Sequence, residues 1–247
     1  MTINTLLFDM DSTLISIDEQ GFSKKYFHLL HKTHFYELDF MFFVDAMVDI
    51  TRYVMTTKLP KELTVDTFVK EMSKHFEISP EEIKSNLLDF YHNEYSQLKS
   101  YIRPVRGVKK LIKNCFAKGY DVVVATTPIF PEVAIMKRLK WGGLHNFDYK
   151  LVTHAENMYY SKPQEEYYTE VLSKINKEIN ECLMIGNEFM ADIIGPTKLG
   201  MKTFYSPLPS INDELFVSPE LKRFSKIRPS YQGTMSDLAK LIDNGLE

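Results

Sequence analysis

Only two of the 247 residues are cysteine, Cys115 and Cys182. Two thiols build no disulfide framework, and their scarcity fits a reducing cytoplasm. There is no basic excess either. Thirty Lys and Arg residues face 33 Asp and Glu, a net charge of −3, which gives no general pull toward nucleic acid or anionic membrane. No basic stripe interleaved with aromatic residues is present, so a nucleic-acid partner is not expected. No apolar run approaches the ~20 residues needed to span a bilayer. Met1-Thr2-Ile3-Asn4 lacks a basic segment, and Asp9 and Asp11 interrupt the first apolar stretch, so that stretch does not read as a signal peptide. Repeats and low-complexity tracts are also absent. What remains is an ordinary globular composition, 44% apolar and 26% charged, long enough for one large domain or one domain with an insert.

The first informative residues are Asp9 and Asp11, which follow the apolar run Thr5-Leu6-Leu7-Phe8 and precede Ser12-Thr13-Leu14. Such a run reads as a strand buried on both faces. Two carboxylates at its exit are costly unless something pairs with them. A hard cation such as Mg²⁺ would do so. Parallel sheets place their chemistry at the carboxyl ends of strands. The simpler explanation, an acidic helix cap, accounts for one Asp but less easily for the pair.

From about residue 101 onward, helices and strands alternate. The pattern predicts helices over 108–118, 133–140, 165–174, 191–199 and 235–242. Strands are predicted over 121–125, 149–153, 182–185 and 202–205. This alternation argues for an α/β fold, a Rossmann-like parallel sheet with helices on both faces. Residues 16–100 break the rhythm and read as helical throughout. Ser79-Pro80-Glu81-Glu82 is a strong helix start, with a capping Ser and Pro at the first position. The expected organisation is a core of residues 1–15 and 101–247, with a helical cap of residues 16–100 over the carboxyl end of the sheet, in the position of a lid. Phe40 to Val44, apolar all round, is expected in the core of the cap, with a dimer contact or a substrate wall as the alternatives. The spacing of His28, His31 and His34 does not bring all three onto one helix face, so they read as surface residues. Pro207 to Tyr231, punctuated by Pro and Ser, reads as a surface excursion.

Three further segments fall at strand ends or helix starts: Thr126-Thr127-Pro128, Ser161-Lys162-Pro163, and Gly186-Asn187-Glu188 with Asp192 beyond. Each alone has a bland explanation as a cap, a helix entry or a dipole partner. Together and in this order, the sequence resembles the haloacid dehalogenase-like (HAD) hydrolase superfamily over nearly its whole length. Asp9, Asp11 and Thr13 match that family's Asp-x-Asp-x-Thr motif. Thr126 matches the second motif, Lys162 the third, and Glu188 with Asp192 the acidic fourth. The helical insert resembles the family's C1 caps. Two positions depart from the common pattern: Glu188 stands where Asp is usual, so Asn187 could supply the metal oxygen instead, and Ser12 stands where Gly is common.

The resemblance implies Mg²⁺-dependent hydrolysis of a small phosphomonoester, with a small phosphorylated metabolite as partner; a homodimer is the assembly that a contact through Phe40–Val44 would give. Asp9 would be the nucleophile, and Asp11 the general acid and base. Thr126, the Thr127 backbone and Lys162 would hold the phosphoryl group. Asp9, the Asp11 carbonyl and Glu188 would bind the metal, with Asp192 binding it through water or orienting Lys162. Asp11 favours phosphoester chemistry over dehalogenation, because a leaving halide needs no proton. The alternatives are a phosphomutase similar to β-phosphoglucomutase, with Lys24, Lys25, Arg52 and Lys58 as candidate cap ligands, and a non-catalytic binding protein of the same fold.

Overall fold

A computed structural model of the chain describes residues 2–59, 61–207, 224 and 226–246. Most of the 207–231 stretch therefore lies outside the described residues. Six parallel strands form the main sheet: β1 (Thr5–Phe8), β4 (Asp121–Val124), β5 (Leu151–Val152), β6 (Cys182–Gly186), β7 (Lys202–Tyr205) and β8 (Tyr231–Gln232). Their spatial order is β5-β4-β1-β6-β7-β8. β1 pairs with β4 on one side and β6 on the other. Chain order therefore reverses at β1, which opens a crevice at its carboxyl end. Every residue of β1 is buried, as a strand covered on both faces requires.

Helices α5 (Val108–Ala117), α6 (Glu132–Trp141), α7 (Glu165–Ile175), α8 (Gly195–Leu199) and α9 (Met235–Asn244) cover the sheet. The expected helix over 191–199 is instead split. Phe189–Ile194 forms a wide π-type turn, and α8 follows with Pro196 in its first turn. Pro196 has no N–H to return to the carbonyl four residues back, so a continuous α-ladder cannot run through this stretch. Both cysteines are free and buried. Among the described residues, no helix is long and apolar enough to cross a membrane.

Helices α1 (Glu19–His34), α2 (Phe40–Thr56), α3 (Thr64–Phe76) and α4 (Pro80–His92) form the inserted cap. Ser79 caps α4 through the Glu82 N–H at 3.2 Å. Two short strands at the base of the insert, β2 (Ile15–Ile17) and β3 (Ile102–Pro104), pair antiparallel. Three-residue strands show no readable period, so the helical reading of residues 16–100 missed β2.

The aromatic run in α2 divides. Phe43 is fully buried, whereas Phe40, Met41 and Phe42 are exposed. The buried stripe of α2 follows Phe43, Ala46, Met47, Ile50 and Val54. A helix that is apolar all round still has an outward side. His34 is not a surface residue: its side chain is 11% exposed and lies 3.6 Å from Asp89 and 3.5 Å from Glu94.

The cap is fastened to the core at several points. The Thr64 hydroxyl donates to the Pro128 carbonyl at 2.8 Å. Gln164 donates to the Met55 carbonyl at 2.7 Å. The Lys137 ammonium donates to the carbonyls of Tyr91 and His92 at the end of α4, at 2.7 and 2.8 Å. Cations at a helix carboxyl end are favoured by the dipole.

The centre of the cap is a ring cluster, with Phe43 stacked on Phe35 at 5.4 Å and on Phe76 at 5.6 Å. Replacing Phe43 by Ala is expected to cost about 3–5 kcal/mol, measured by urea denaturation; a loss below about 1 kcal/mol would mean that the cluster repacks around the void.

Candidate active site

The site grows out of the end of β1. The Asp9 N–H donates to the Ile185 carbonyl at 2.8 Å, and the Ala125 N–H donates to the Phe8 carbonyl at 2.7 Å. These bonds continue the ladder by one residue on each side. They place Asp9, Thr126 and Asn187-Glu188 on one rim. The chain then turns back, with the N–H groups of Leu14 and Ile15 both donating to the Met10 carbonyl. Ser12, inside this turn, has φ 60°, the left-handed region that glycine enters most easily. That accounts for the small residue there.

Asp9, Asp11, Thr126, Thr127 and Glu188 line one inner cavity of about 70 Å³, together with Ile129 and Phe130. Lys162 and Asp192 lie behind it, fully buried. The Lys162 ammonium donates to Asp9 Oδ1 at 2.9 Å and to Asp192 Oδ1 at 2.7 Å. The other Asp192 oxygen accepts the Glu188 N–H at 3.0 Å. Both Asp192 oxygens are therefore engaged inside the protein, and its carboxylate faces Lys162 rather than the cavity. The structure thus brings together the seven core residues expected at the phosphoryl group and metal, five at the cavity and two behind it.

Burial alone would lower the Lys162 pKa. The Asp192 and Asp9 carboxylates outweigh it and hold the ammonium well above its usual range. Burial drives the Asp192 carboxyl upward, against the pull of Lys162. Glu188 is raised by the surrounding protein and, after that, by Asp9. Its carboxylate forms no hydrogen bond or ion pair with any described residue. Asn187 is in a different position. Its side-chain oxygen accepts from the Thr13 hydroxyl at 2.9 Å, tying the first motif loop to the fourth.

A further set of side chains positions these groups. The Tyr167 and Thr153 hydroxyls both donate to the Thr126 carbonyl, at 3.0 and 2.7 Å. The Tyr168 hydroxyl donates to the Ala191 carbonyl and holds the π-type turn that carries Asp192. Turns of this type are frequent at functional sites.

Arg138 is the residue that sequence reasoning missed. It is 1% exposed. Its Nη1 donates to Asp11 Oδ2 at 2.6 Å, and its guanidinium lies 4.6 Å from the Phe130 ring centre. Burial raises the Asp11 pKa and Arg138 opposes the rise. A signal was present in the sequence: Arg138 falls on the α6 stripe of Ala134, Ile135 and Leu139, and a charge on an apolar stripe needs a partner.

The donor set suits a hard divalent cation. Among the described residues, four carboxylates, Asp9, Asp11, Glu188 and Asp192, face two cations, Lys162 and Arg138. All the candidate ligand atoms at the cavity are oxygen.

The profile of the family described as haloacid dehalogenase-like hydrolase matches residues 6–205. The chain belongs to this family. Among curated relatives, it is 23% identical over 204 residues to a pyrophosphatase PpaX of Halalkalibacterium halodurans, covering 82% of this chain and 83% of the relative. It is 27% identical over 206 residues to a pyrophosphatase PpaX of Bacillus cereus, covering 82% of each. Among solved structures, the putative HAD-hydrolase YfnB of Bacillus subtilis, bound to magnesium, is similar with a TM-score of 0.56 and 20% identity, over 98% of this chain and 100% of that one. An HAD phosphatase from Thermococcus onnurineus is similar with a TM-score of 0.58 and 14% identity, over 99% and 100%. These structural likenesses establish the fold.

Gly186, at the end of β6, is required by space. A Cβ built there would lie 2.1 Å from Asp192 Oδ2 and 2.5 Å from Asp192 Cβ. Gly186→Ala is expected to displace Asp192 and cost about 1–3 kcal/mol by overpacking, read by chemical denaturation. Unchanged stability would show that Asp192 has room to reach Lys162 from another rotamer.

Proposed function

We propose that this hydrolase is a magnesium-dependent phosphatase acting on a small phosphomonoester through a covalent intermediate on Asp9. The observation that carries the reading is the Asp9 carboxylate in the inner cavity, with Lys162 Nζ 2.9 Å from its Oδ1. Phosphoryl transfer needs an in-line nucleophile, neutralisation of the phosphoryl oxygens and a proton for the leaving group. Asp9 attacks phosphorus and the bond to the leaving oxygen breaks. Asp11 gives its proton to the departing alkoxide. Asp11 then takes a proton from water. The water oxygen bonds to phosphorus, the bond to Asp9 breaks, and inorganic phosphate is released. The Thr126 hydroxyl and the Thr127 N–H hold phosphoryl oxygens. Lys162 fixes the direction of Asp9 and offsets its charge, and Asp192 is a positioning residue for Lys162. Arg138 makes a charged Asp11 tolerable at a poorly solvated position.

Asp9, the Asp11 carbonyl and Glu188 are the residues to hold Mg²⁺. Asn187 is committed to Thr13, which supports Glu188 as the direct ligand. When bound, the ion supplies positive charge against the phosphoryl oxygens and the carboxylates around them. The partner is a small phosphorylated metabolite and the compartment the cytoplasm.

The names of the curated relatives favour a second reading, hydrolysis of pyrophosphate by the same nucleophile. A mutase has less support. Among its candidate cap ligands, Arg52 pairs with Asp49 at 2.8 Å and Lys58 pairs with Glu166, and neither these nor Lys24 and Lys25 line the site cavities.

Asp9→Asn is expected to abolish Mg²⁺-dependent phosphate release while leaving the fold intact. Turnover persisting in the purified variant would remove Asp9 as the nucleophile. Arg138 opposes the upward shift of Asp11, so Arg138→Met should raise the Asp11 pKa further. The pH–rate limb that requires protonated Asp11 should then move to higher pH; a limb that stays in place would belong to another group.

A further inference from the structure

The inner cavity of about 70 Å³ opens, across Asp11, Thr127, Ile129, Phe130 and Glu188, into an outer one of about 350 Å³ between core and cap. The inner cavity, about a fifth of the outer one's volume and lined by Asp9 and Thr126, is the place for the phosphoryl group. The outer one therefore receives the leaving group. A third cavity beside Glu188 and Phe189 touches neither Asp9, Thr126, Thr127 nor Arg138, so it does not lie on the path of the departing oxygen.

The walls of the outer cavity are informative in what they lack. Phe22, Phe27, Met47, Met55 and Phe68 supply most of its cap side, joined by the hydroxyl residues Ser23 and Thr51. Tyr26 offers its ring, because its hydroxyl is bonded to that of Tyr91 at 2.8 Å. No lysine or arginine of the described cap lines it. Among the described residues, the single cation in the wall is Arg138, which already pairs with Asp11 and whose Nε and Nη2 are shut off from the open space. Glu188 is taken up by Mg²⁺ in the phosphatase reading, so the remaining charge at the described wall is the acid Glu19. A carboxylate or a second phosphate placed here would meet apolar rings and like charge. The Thr51 hydroxyl already donates to the Met47 carbonyl at 2.8 Å, which leaves a polyhydroxyl group mainly Ser23 and Glu19 as partners on the cap side.

Resting on the phosphatase reading, we infer that the substrate is a phosphomonoester of an uncharged, largely apolar alcohol, and that the cap rings select it. A pyrophosphate, a phosphorylated carboxylic acid and a sugar bisphosphate are disfavoured by the same walls. The outer cavity, at about 350 Å³, admits a leaving group of arylalkyl dimensions, since small-molecule sites begin near ~300 Å³.

The test compares 2-phenylethyl phosphate with glycerol 3-phosphate, phosphoglycolate and pyrophosphate, using Mg²⁺-loaded enzyme and following phosphate release. The first three leave as alkoxides of similar basicity, so their ranking reports the pocket. p-Nitrophenyl phosphate serves as the benchmark, because its leaving group needs little help from acid or pocket. The expected kcat/KM for 2-phenylethyl phosphate exceeds that for each of the other three by at least about tenfold, the discrimination a buried apolar group provides. Met55→Lys supplies the missing cation and should shift the ratio of phosphoglycolate to 2-phenylethyl phosphate upward by about tenfold or more. Phe27→Ala, a second variant should Met55→Lys fail to fold, should erode the preference for the phenylethyl ester.

Equal or better turnover of glycerol 3-phosphate, phosphoglycolate or pyrophosphate by wild type overturns the inference. So does a ratio unmoved by folded variants at both positions. In either case, Asp9-dependent hydrolysis of p-nitrophenyl phosphate would leave the phosphatase reading standing. Hydrolysis of none of the five compounds would remove both.

Discussion

One ammonium group holds the site together. Lys162 Nζ sits fully buried between Asp9 and Asp192, with bonds of 2.9 and 2.7 Å. Taking any of these three charges out of water is expensive, and removing one partner from such a cluster typically costs about 3–5 kcal/mol. The surrounding structure is arranged around that demand. Gly186 has no Cβ, so the Asp192 carboxyl can lie against it. The Tyr168 hydroxyl pins the turn bearing Asp192. The Tyr167 ring lies 5.9 Å from the ammonium, while its hydroxyl holds the Thr126 carbonyl. The position of the candidate nucleophile thus depends on α7, β6 and the π-type turn as much as on its own strand.

The second charged pair, Arg138 with Asp11, works differently. It lies among rings rather than between acids. The guanidinium rests on Phe130, and burial and Arg138 act on Asp11 in opposite directions. The two pairs divide the work. In the proposed reaction, one fixes the carboxylate that attacks phosphorus. The other keeps a carboxylate that must change protonation state from being driven too far toward the neutral form.

The sheet and much of the site were legible because they are local. Asp9, Thr126 and Glu188 stand directly after apolar strand runs, and Lys162 stands just before a helix, so short sequence windows locate them. Contacts between distant segments were not legible. Arg138 reaches Asp11 across 127 positions of the chain, and no single window contains that pairing. The Asn187 bond to Thr13 is equally remote. In the cap, periodicity revealed the helices but not which of their cations face the cavity. Lys58 turns to Glu166 of the core and Arg52 to Asp49 of its own helix. The exposure of Phe40, Met41 and Phe42 was hidden by composition, because an apolar residue does not announce whether a neighbour covers it.

The β2–β3 ribbon carries both crossings between cap and core side by side. Two adjacent, hydrogen-bonded connections behave as one axle, so they permit rotation far more readily than sliding. The axle also starts close to the chemistry: Ile15, at its base, bridges to Asp11. Angular motion at the ribbon is small in displacement near Asp11 and large at the far rings of α2 and α3. The geometry therefore separates two tolerances. In the proposed reaction, rotation about the ribbon would leave the distance from Asp11 to the phosphoryl group nearly unchanged and alter the space for the leaving group.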